Sequence, residues 1–373
     1  ALAISYNLMA EMPHKSGGYS KAIEQLLQLN RTQEAMNLLE QMKENCKDDE
    51  DIGITYGVSK LQFGDLKQGF AAYERRFDRE EMVSHAGRYI HYLPVPRLNH
   101  WREAVGKRVV VYLEQGIGDI VQFFRYLPLL RAHASKIILV YGMSSKPFRD
   151  LLGSLDCVDE HYDNLIDIAK DPLPHFDTHC ALMSLPYIFE TTIDTIPPAP
   201  PFITPKALID QWGARLGAKT KPRIGLVVSG NAMQGNDFNR SANLSLLQPL
   251  IHENAETILV QRDLRAPDVE LAKQLGLLHL GKEFNTLQDT AAAYHHFDLI
   301  IGIETGIMHL AATQGKPVWK MLTTLPDWRY FRDRSDSPFY PNVRLFRQEK
   351  YGDWHGLAQQ VRPELDKFIA SLT

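Results

Sequence analysis

Val109-Val110-Val111-Tyr112-Leu113-Glu114-Gln115-Gly116-Ile117-Gly118-Asp119 is the stretch whose reading decides the fold. It starts with a short apolar run, the pattern of a strand buried on both faces. The Gly pair permits a tight strand-to-helix turn, and an amphipathic helix is expected over Ile117 to Leu130. Lys136 to Tyr141 then reads as a second strand. Strand, helix and strand are the unit of a parallel sheet.

Downstream, the segment His175 to Pro205 holds Pro197, Pro198, Pro200 and Pro201, which regular elements do not tolerate, and it reads as a boundary and linker. After it come short apolar strand candidates at Arg223 to Val228, Thr257 to Gln261, Leu277 to Leu280, Leu299 to Gly302 and Val318 to Met321, separated by helix-like stretches. These predict a second α/β domain. Two doubly wound domains facing each other put their strand ends, and a ligand, at the cleft between them.

Upstream, Gly18 to about Asp78 is helical in pattern. Leu27, Asn30, Ala35, Leu38, Leu39 and Glu40 fall 34 positions before Leu61, Gly64, Gly69, Ala72, Tyr73 and Glu74. That offset is the tetratricopeptide period, in which small residues let paired helices approach closely. An ordinary helical hairpin is the plainer reading. Two such units bury too little alone, so they are expected either to continue into an N-terminal array or to lean on the next domain. Residues 80–105, with Pro94 and Pro96, read as an extended connection. The expected plan is a helical segment with its connection at 1–100, one Rossmann-like domain at 101–205 and a second at 206–373.

With 373 residues, 44% of them hydrophobic and 23% charged, the composition is globular and excludes disorder, collagen and coiled coil. The 41 basic and 45 acidic side chains leave a charge of −4, so no global field holds a nucleic acid and no such partner is expected. Apolar runs are of strand length, so no transmembrane segment is predicted. Residues 1–10 lack the basic and apolar regions of a leader, and the missing initial Met suggests a processed or truncated chain. Cys46, Cys157 and Cys180 have no metal or redox spacing, which reads as reduced thiols in the cytoplasm.

Three strand ends carry candidate chemistry. In the first, Gln115, Gly116 and Gly118 form the turn and Asp119 sits at the cleft lip, either as a functional acid or as a helix N-cap. No third glycine follows, since position 121 is Val, and no acid closes the second strand, so a nicotinamide or flavin oxidoreductase is poorly supported. The second is the polar loop Ser229-Gly230-Asn231 through Asn236-Asp237 and Asn239-Arg240-Ser241, where Arg240 suits a phosphate; a solvated loop is the alternative. In the third, Thr305, Gly306 and Ile307 offer free amides to a diphosphate, Glu304 can accept from sugar hydroxyls, and His309 lies one turn in. Thr305 as a simple cap and His309 as a packed side chain are the bland readings. Gln261 and Arg262 end another strand and could serve the same phosphate, or Arg262 is a surface residue. His175, His179 and Cys180 are poor evidence for a metal. The aromatic tail from Trp328 to Tyr340 reads mainly as packing, with a base-stacking wall as the alternative.

The ordered set resembles bacterial proteins that join tetratricopeptide repeats to a glycosyltransferase of family 9, the heptosyltransferase-like class. It comprises Tyr73-Glu74-Arg75-Arg76-Phe77, Glu114-Gln115-Gly116-Ile117-Gly118-Asp119, Arg125-Tyr126-Leu127-Pro128, Ser184-Leu185-Pro186, Ser229-Gly230-Asn231, Asn239-Arg240-Ser241, Glu304-Thr305-Gly306 with His309, Gly315-Lys316-Pro317-Val318-Trp319, Pro326-Asp327-Trp328-Arg329, Ser337-Pro338, Tyr340-Pro341 and Leu345-Phe346-Arg347-Gln348. The resemblance implies a glycosyltransferase B fold, two Rossmann-like domains behind the helical segment. It implies an inverting, metal-independent transfer from a nucleotide-sugar donor to an acceptor hydroxyl, with no cofactor and Asp119 as general base. The departing diphosphate would be met by the amides at Thr305 to Ile307 and by Arg240 or Arg262. The helical repeat would present a protein acceptor. This chain departs from the family in having Glu304 in place of Asp, and Ala232, Met233 and Gln234 in place of a Pro and a basic or His residue after Gly-Asn. A non-catalytic repeat scaffold on a degenerate transferase fold is the alternative.

Overall fold

The computed structural model describes residues 1–29, 31–49, 51–78, 95–141, 148–162 and 175–372. Asn30 of the repeat comparison, and most of the connection read at 80–105 with Pro94, lie outside them.

Helices α1 (Leu2–Glu11), α2 (Ser16–Gln28), α3 (Thr32–Asn45), α4 (Ile52–Gln62) and α5 (Leu66–Tyr73) pack as successive neighbours. Small residues set the crossing of α4 and α5. A Cβ at Gly57 would lie 2.8 Å from the Tyr73 nitrogen, and one at Gly69 would lie 2.6 Å from the Leu61 side chain, so α4 and α5 cross almost backbone to backbone. The expected leaning is also present. Leu61, Leu66 and Phe70 belong to the same apolar core as the sheet residues Val109, Val111 and Ile137.

The first sheet is parallel, in the order β3 (Glu160–Tyr162), β2 (Lys136–Val140), β1 (Arg108–Tyr112), β4 (Thr178–Ala181). The second has the order β10-β11-β9-β8-β5-β6-β7, with β5 (Arg223–Val227), β6 (Glu256–Leu259), β7 (Leu278–His279), β8 (Leu299–Gly302) and β9 (Val318–Leu322) mutually parallel. Strand β11 (Tyr340–Arg347) pairs parallel with β9 and antiparallel with the short β10 (Asp336–Ser337). The ends of β1, β5, β8 and β9 all lead into one cleft.

Two expectations need correction, and a third, packing of the aromatic tail, holds. The stretch from His175 to Pro205 is not only a linker: it contains β4, fully buried beside β1, and the helix Leu185–Ile188, which accommodates Pro186 in its first turn. The helix expected over 117–130 breaks into Ile117–Phe123, a 3-10 turn at Phe124–Tyr126, and Leu127–Arg131 with Pro128 in its first turn. The aromatic tail includes strand β11; Trp328, Tyr330, Phe331, Phe339 and Tyr340 are buried, so packing accounts for most of it.

Candidate active site

A cavity of about 800 Å³ lies where the three parts meet. Ile23 and Leu27 of α2 and Thr55 and Ser59 of α4 line one side. The turn 115–119 and the loops after β5, β8 and β9 line the rest.

The turn after β1 is held from behind. Arg76, fully buried, donates to Glu114 Oε1 at 2.7 Å, Glu74 Oε1 at 2.6 Å and Ser184 Oγ at 2.9 Å, tying the helical segment to the strand end. Gln115 takes the left-handed conformation (φ 64°), which disfavours a residue with a Cβ, and its amide donates to Tyr73 Oη at 2.7 Å. Gly116 is the N-cap, and Asp119, at the third helical position, accepts from the Gly116 N–H at 2.9 Å. Asp119 therefore does stabilise its own helix, as the plainer reading held, yet its side chain remains 19% exposed and lines the cavity. Its Oδ1 pairs with the Arg329 guanidinium, which also binds Asp327 at 2.8 Å. Burial pushes the Asp119 carboxyl above the usual aspartate range, against the opposing pull of Arg329 and the Gly116 N–H.

Across the cavity, Thr305 is the N-cap of the helix Gly306–Thr313 and makes no side-chain cap bond. Gly306 has no side chain for a reason other than ligand access alone. A Cβ there would meet the Gly118 nitrogen at 2.9 Å and Ile117 Cγ2 at 2.9 Å, so the two turns close on each other through it. Glu304 is buried at the lip; its Oε2 accepts from the Asp327 N–H at 3.0 Å and its Oε1 has no hydrogen-bond partner among the described residues. Burial, then the like charge of Asp327, pushes its carboxyl up to about 7.

In the loop after β5, Arg240 lines the cavity, with Asp237 Oδ1 at 3.7 Å from its Nε. Asn231 also lines the cavity, its Oδ1 accepting from the Met233 N–H at 3.0 Å. Ser241 and Gln261 act behind the loop rather than in the cavity. Ser241 Oγ accepts from the Gly230 N–H at 2.9 Å and donates to Asp237 at 2.7 Å. Gln261 Oε1 accepts from the Val228 N–H at 2.5 Å and the Ser229 N–H at 3.1 Å, while its Nε2 donates to Ser229 Oγ at 2.8 Å. Arg262 is exposed and not among the cavity residues, as the surface reading has it, and the Ile307 side chain packs against the core, which leaves the role read for its backbone amide untouched.

The sequence reading missed Arg329, Tyr330 and Lys320. Lys320 lies unexposed in β9, donating to Tyr330 Oη at 2.7 Å. His309 is buried with both ring nitrogens engaged, Nδ1 with Tyr340 Oη at 3.3 Å and Nε2 with Tyr330 Oη at 3.2 Å and Lys320 Nζ at 3.3 Å. It is the packed histidine of the bland reading, although its edge lines the cavity. His179 and Cys180 are consecutive in β4, so their side chains leave opposite faces of the sheet. Among the described residues no group of three or more His, Cys, Asp or Glu is placed to hold a metal ion, and no helix is long and apolar enough to cross a membrane.

No protein-family model matches the chain. Among curated proteins it is similar to Protein FlbA of Caulobacter vibrioides, 26% identical over 332 residues, which cover 83% of this chain and 54% of that protein. The chain thus spans about half the length of the curated relative it matches. Among solved structures it is similar to a glycosyl transferase family 9 protein from Veillonella parvula, with TM-score 0.56 and 14% identity over 72% of this chain and 99% of that one. It is also similar to the E. coli ADP-heptose lps heptosyltransferase II, with TM-score 0.51 and 15% identity over 71% and 99% of the two chains. These likenesses establish a mixed α/β fold of the glycosyltransferase family 9 kind.

Proposed function

We propose that this chain is a glycosyltransferase that moves a sugar from a nucleotide-sugar donor to an acceptor hydroxyl, with inversion, without a metal, and on a polypeptide acceptor. The observation that carries the reading is one cavity with a carboxylate, Asp119, on one wall and a helix N-terminus with Arg240 on the other. Asp119 would take the proton of the acceptor hydroxyl as that oxygen bonds to the anomeric carbon and the bond to the diphosphate breaks. The charge released on the diphosphate would meet the amides at the start of the helix Gly306–Thr313, the helix dipole and Arg240. The exposed side of the cavity is formed by α2 and α4, which supports a tetratricopeptide-like wall along which a polypeptide acceptor approaches. The free thiols of Cys46, Cys157 and Cys180 fit a reducing cytoplasm.

The ion pair between Asp119 and Arg329 favours a second reading, in which the same cavity binds a ligand without turning it over and the helices serve as a scaffold. One experiment separates the two: a panel of labelled nucleotide sugars, ADP-heptose first, incubated with the chain and acceptor polypeptides in EDTA. The account predicts transfer with inverted anomeric configuration, and a fall of about 10³-fold in turnover for Asp119→Ala with donor affinity equal or tighter. Donor binding without transfer selects the scaffold. Binding of no nucleotide sugar and no free nucleotide contradicts the transferase reading and favours the scaffold.

A further inference from the structure

Strand β9 carries a lysine where its neighbours Val318, Trp319, Met321 and Leu322 are apolar, and all five are buried. An ammonium removed from water needs a counter-charge, because isolated burial is among the most costly arrangements in a protein. Lys320 has no carboxylate within ion-pair distance among the described residues. Its partners are the Tyr330 hydroxyl at 2.7 Å and His309 Nε2 at 3.3 Å, and the Tyr330 ring centroid lies 4.7 Å from Nζ.

Neither partner offers a negative charge. Burial holds the Tyr330 hydroxyl well above the usual tyrosine range, so it keeps its proton. His309 is held well below the usual histidine range by burial, then by Lys320, Arg329 and Arg125, so its ring is neutral. With Nε2 accepting from Lys320 or Tyr330, the ring proton sits on Nδ1 and points to Tyr340. The charged groups that act on Lys320 from neighbouring segments are Glu304, Arg329 and Asp327. Burial lowers the ammonium to about 7, the attraction of Glu304 opposing it, while Glu304 itself lies at about 7. His309 and Tyr330 line the cavity beside Thr305 and Gly306, and Lys320 stands directly behind them.

We propose that Lys320 is the buried counter-charge of the donor's diphosphate, a positioning residue that acts through Tyr330 and His309 and holds a proton while the anion occupies the turn at 305–307. The proposal rests on the nucleotide-sugar reading of the cavity. Its sign follows from linkage. An anion in the seat favours charged Lys320, so the bound form titrates at higher pH than the free form. Below about pH 7 the charge is already present and binding is insensitive to pH. Above that, binding takes up as much as one proton, and affinity falls by up to about tenfold per pH unit until the bound form also titrates. Uptake by Glu304 in place of Lys320 would carry the same sign, because an anion also raises the titration of a carboxyl, so variants at both positions are needed to assign it.

The experiment is calorimetric titration of ADP, GDP and UDP into the full chain in EDTA, from pH 7 to 9, in two buffers of different ionisation heat. For the tightest of the three, the wild type and Glu304→Gln are expected to take up close to one proton at pH 8. Lys320→Met is expected to take up none, to bind about tenfold more weakly at pH 7 and to lose the pH dependence. Lys320→Arg, always charged, is expected to recover affinity while remaining insensitive to pH. Wild-type affinity and uptake in Lys320→Met overturn the proposal, as does uptake lost in Glu304→Gln and kept in Lys320→Met. If Lys320→Met does not fold, absence of uptake in both the wild type and Glu304→Gln overturns it. Binding of none of the three nucleotides by the wild type defeats the nucleotide-sugar reading itself, a failure distinct from those above.

Discussion

Across the cavity the turn after β1 and the turn after β8 meet glycine to glycine, yet the first has its acid paired with an arginine at the cavity surface and the second has a buried ammonium behind it. Asp119 is reachable because Gly116 and Gly118 leave the first turn bare and Arg76 pins the strand end from the far side. Lys320 stands behind the second turn because β9 runs beside β8, and His309, on the helix after that turn, and Tyr330 stand between it and the cavity. The same strand-turn-helix pattern therefore serves two tasks, and what differs is the sheet neighbour rather than the turn.

The contrast breaks most severely at the glycine contact. Gly306→Ala drives a methyl into the Gly118 nitrogen, so the two walls must separate. Overpacking of this kind costs about 1–3 kcal/mol of stability. Misplacement of the walls is expected to lower transfer about 100-fold. Gly118→Ala meets its nearest atoms, Gly306 Cα and His309 Cδ2, only at 3.4 Å, an ordinary contact, and is expected to stay within about twofold of the wild type. Thermal melts and transfer assays on both variants check the asymmetry, and equal losses would mean that the turns are not in this contact. A smaller effect sharpens the charge placement. Arg240→Ala is expected to weaken nucleotide binding about tenfold, the worth of one charge-assisted hydrogen bond, whereas Arg262→Ala, exposed and away from the cavity, should leave it within about twofold.

What was legible in the sequence was local. The run at Val109 to Leu113 and the glycines after it dictate a strand and a turn, and Asp119 falls where that turn faces the cleft. The spacing of Gly69 and Ala35 was legible because helix crossing demands small side chains at a fixed period, and Ala35 and Gly69 are both buried. What escaped depends on partners far away in the chain. Arg329 reaches Asp119 across 210 positions, and no pattern in Pro326-Asp327-Trp328-Arg329 announces that partner. Lys320 reads as one polar interruption of an apolar strand, because periodicity cannot tell a buried ammonium from a solvent-facing one. Gln261 shows the reverse error: a polar side chain at a strand end was read as a ligand contact, but the backbone amides of Val228 and Ser229 claim it first. Strand β4 was hidden because its four residues, Thr-His-Cys-Ala, alternate nothing and lie beside a proline-rich stretch.

A crystal of the full chain soaked with a nucleoside diphosphate in EDTA tests the central claim most directly. The diphosphate is predicted to rest against the amides at 305–307 with Arg240 beside it and the Asp119 carboxylate facing the place where a sugar would attach. Density for the nucleotide elsewhere, with that seat unchanged at saturating concentration, would contradict it.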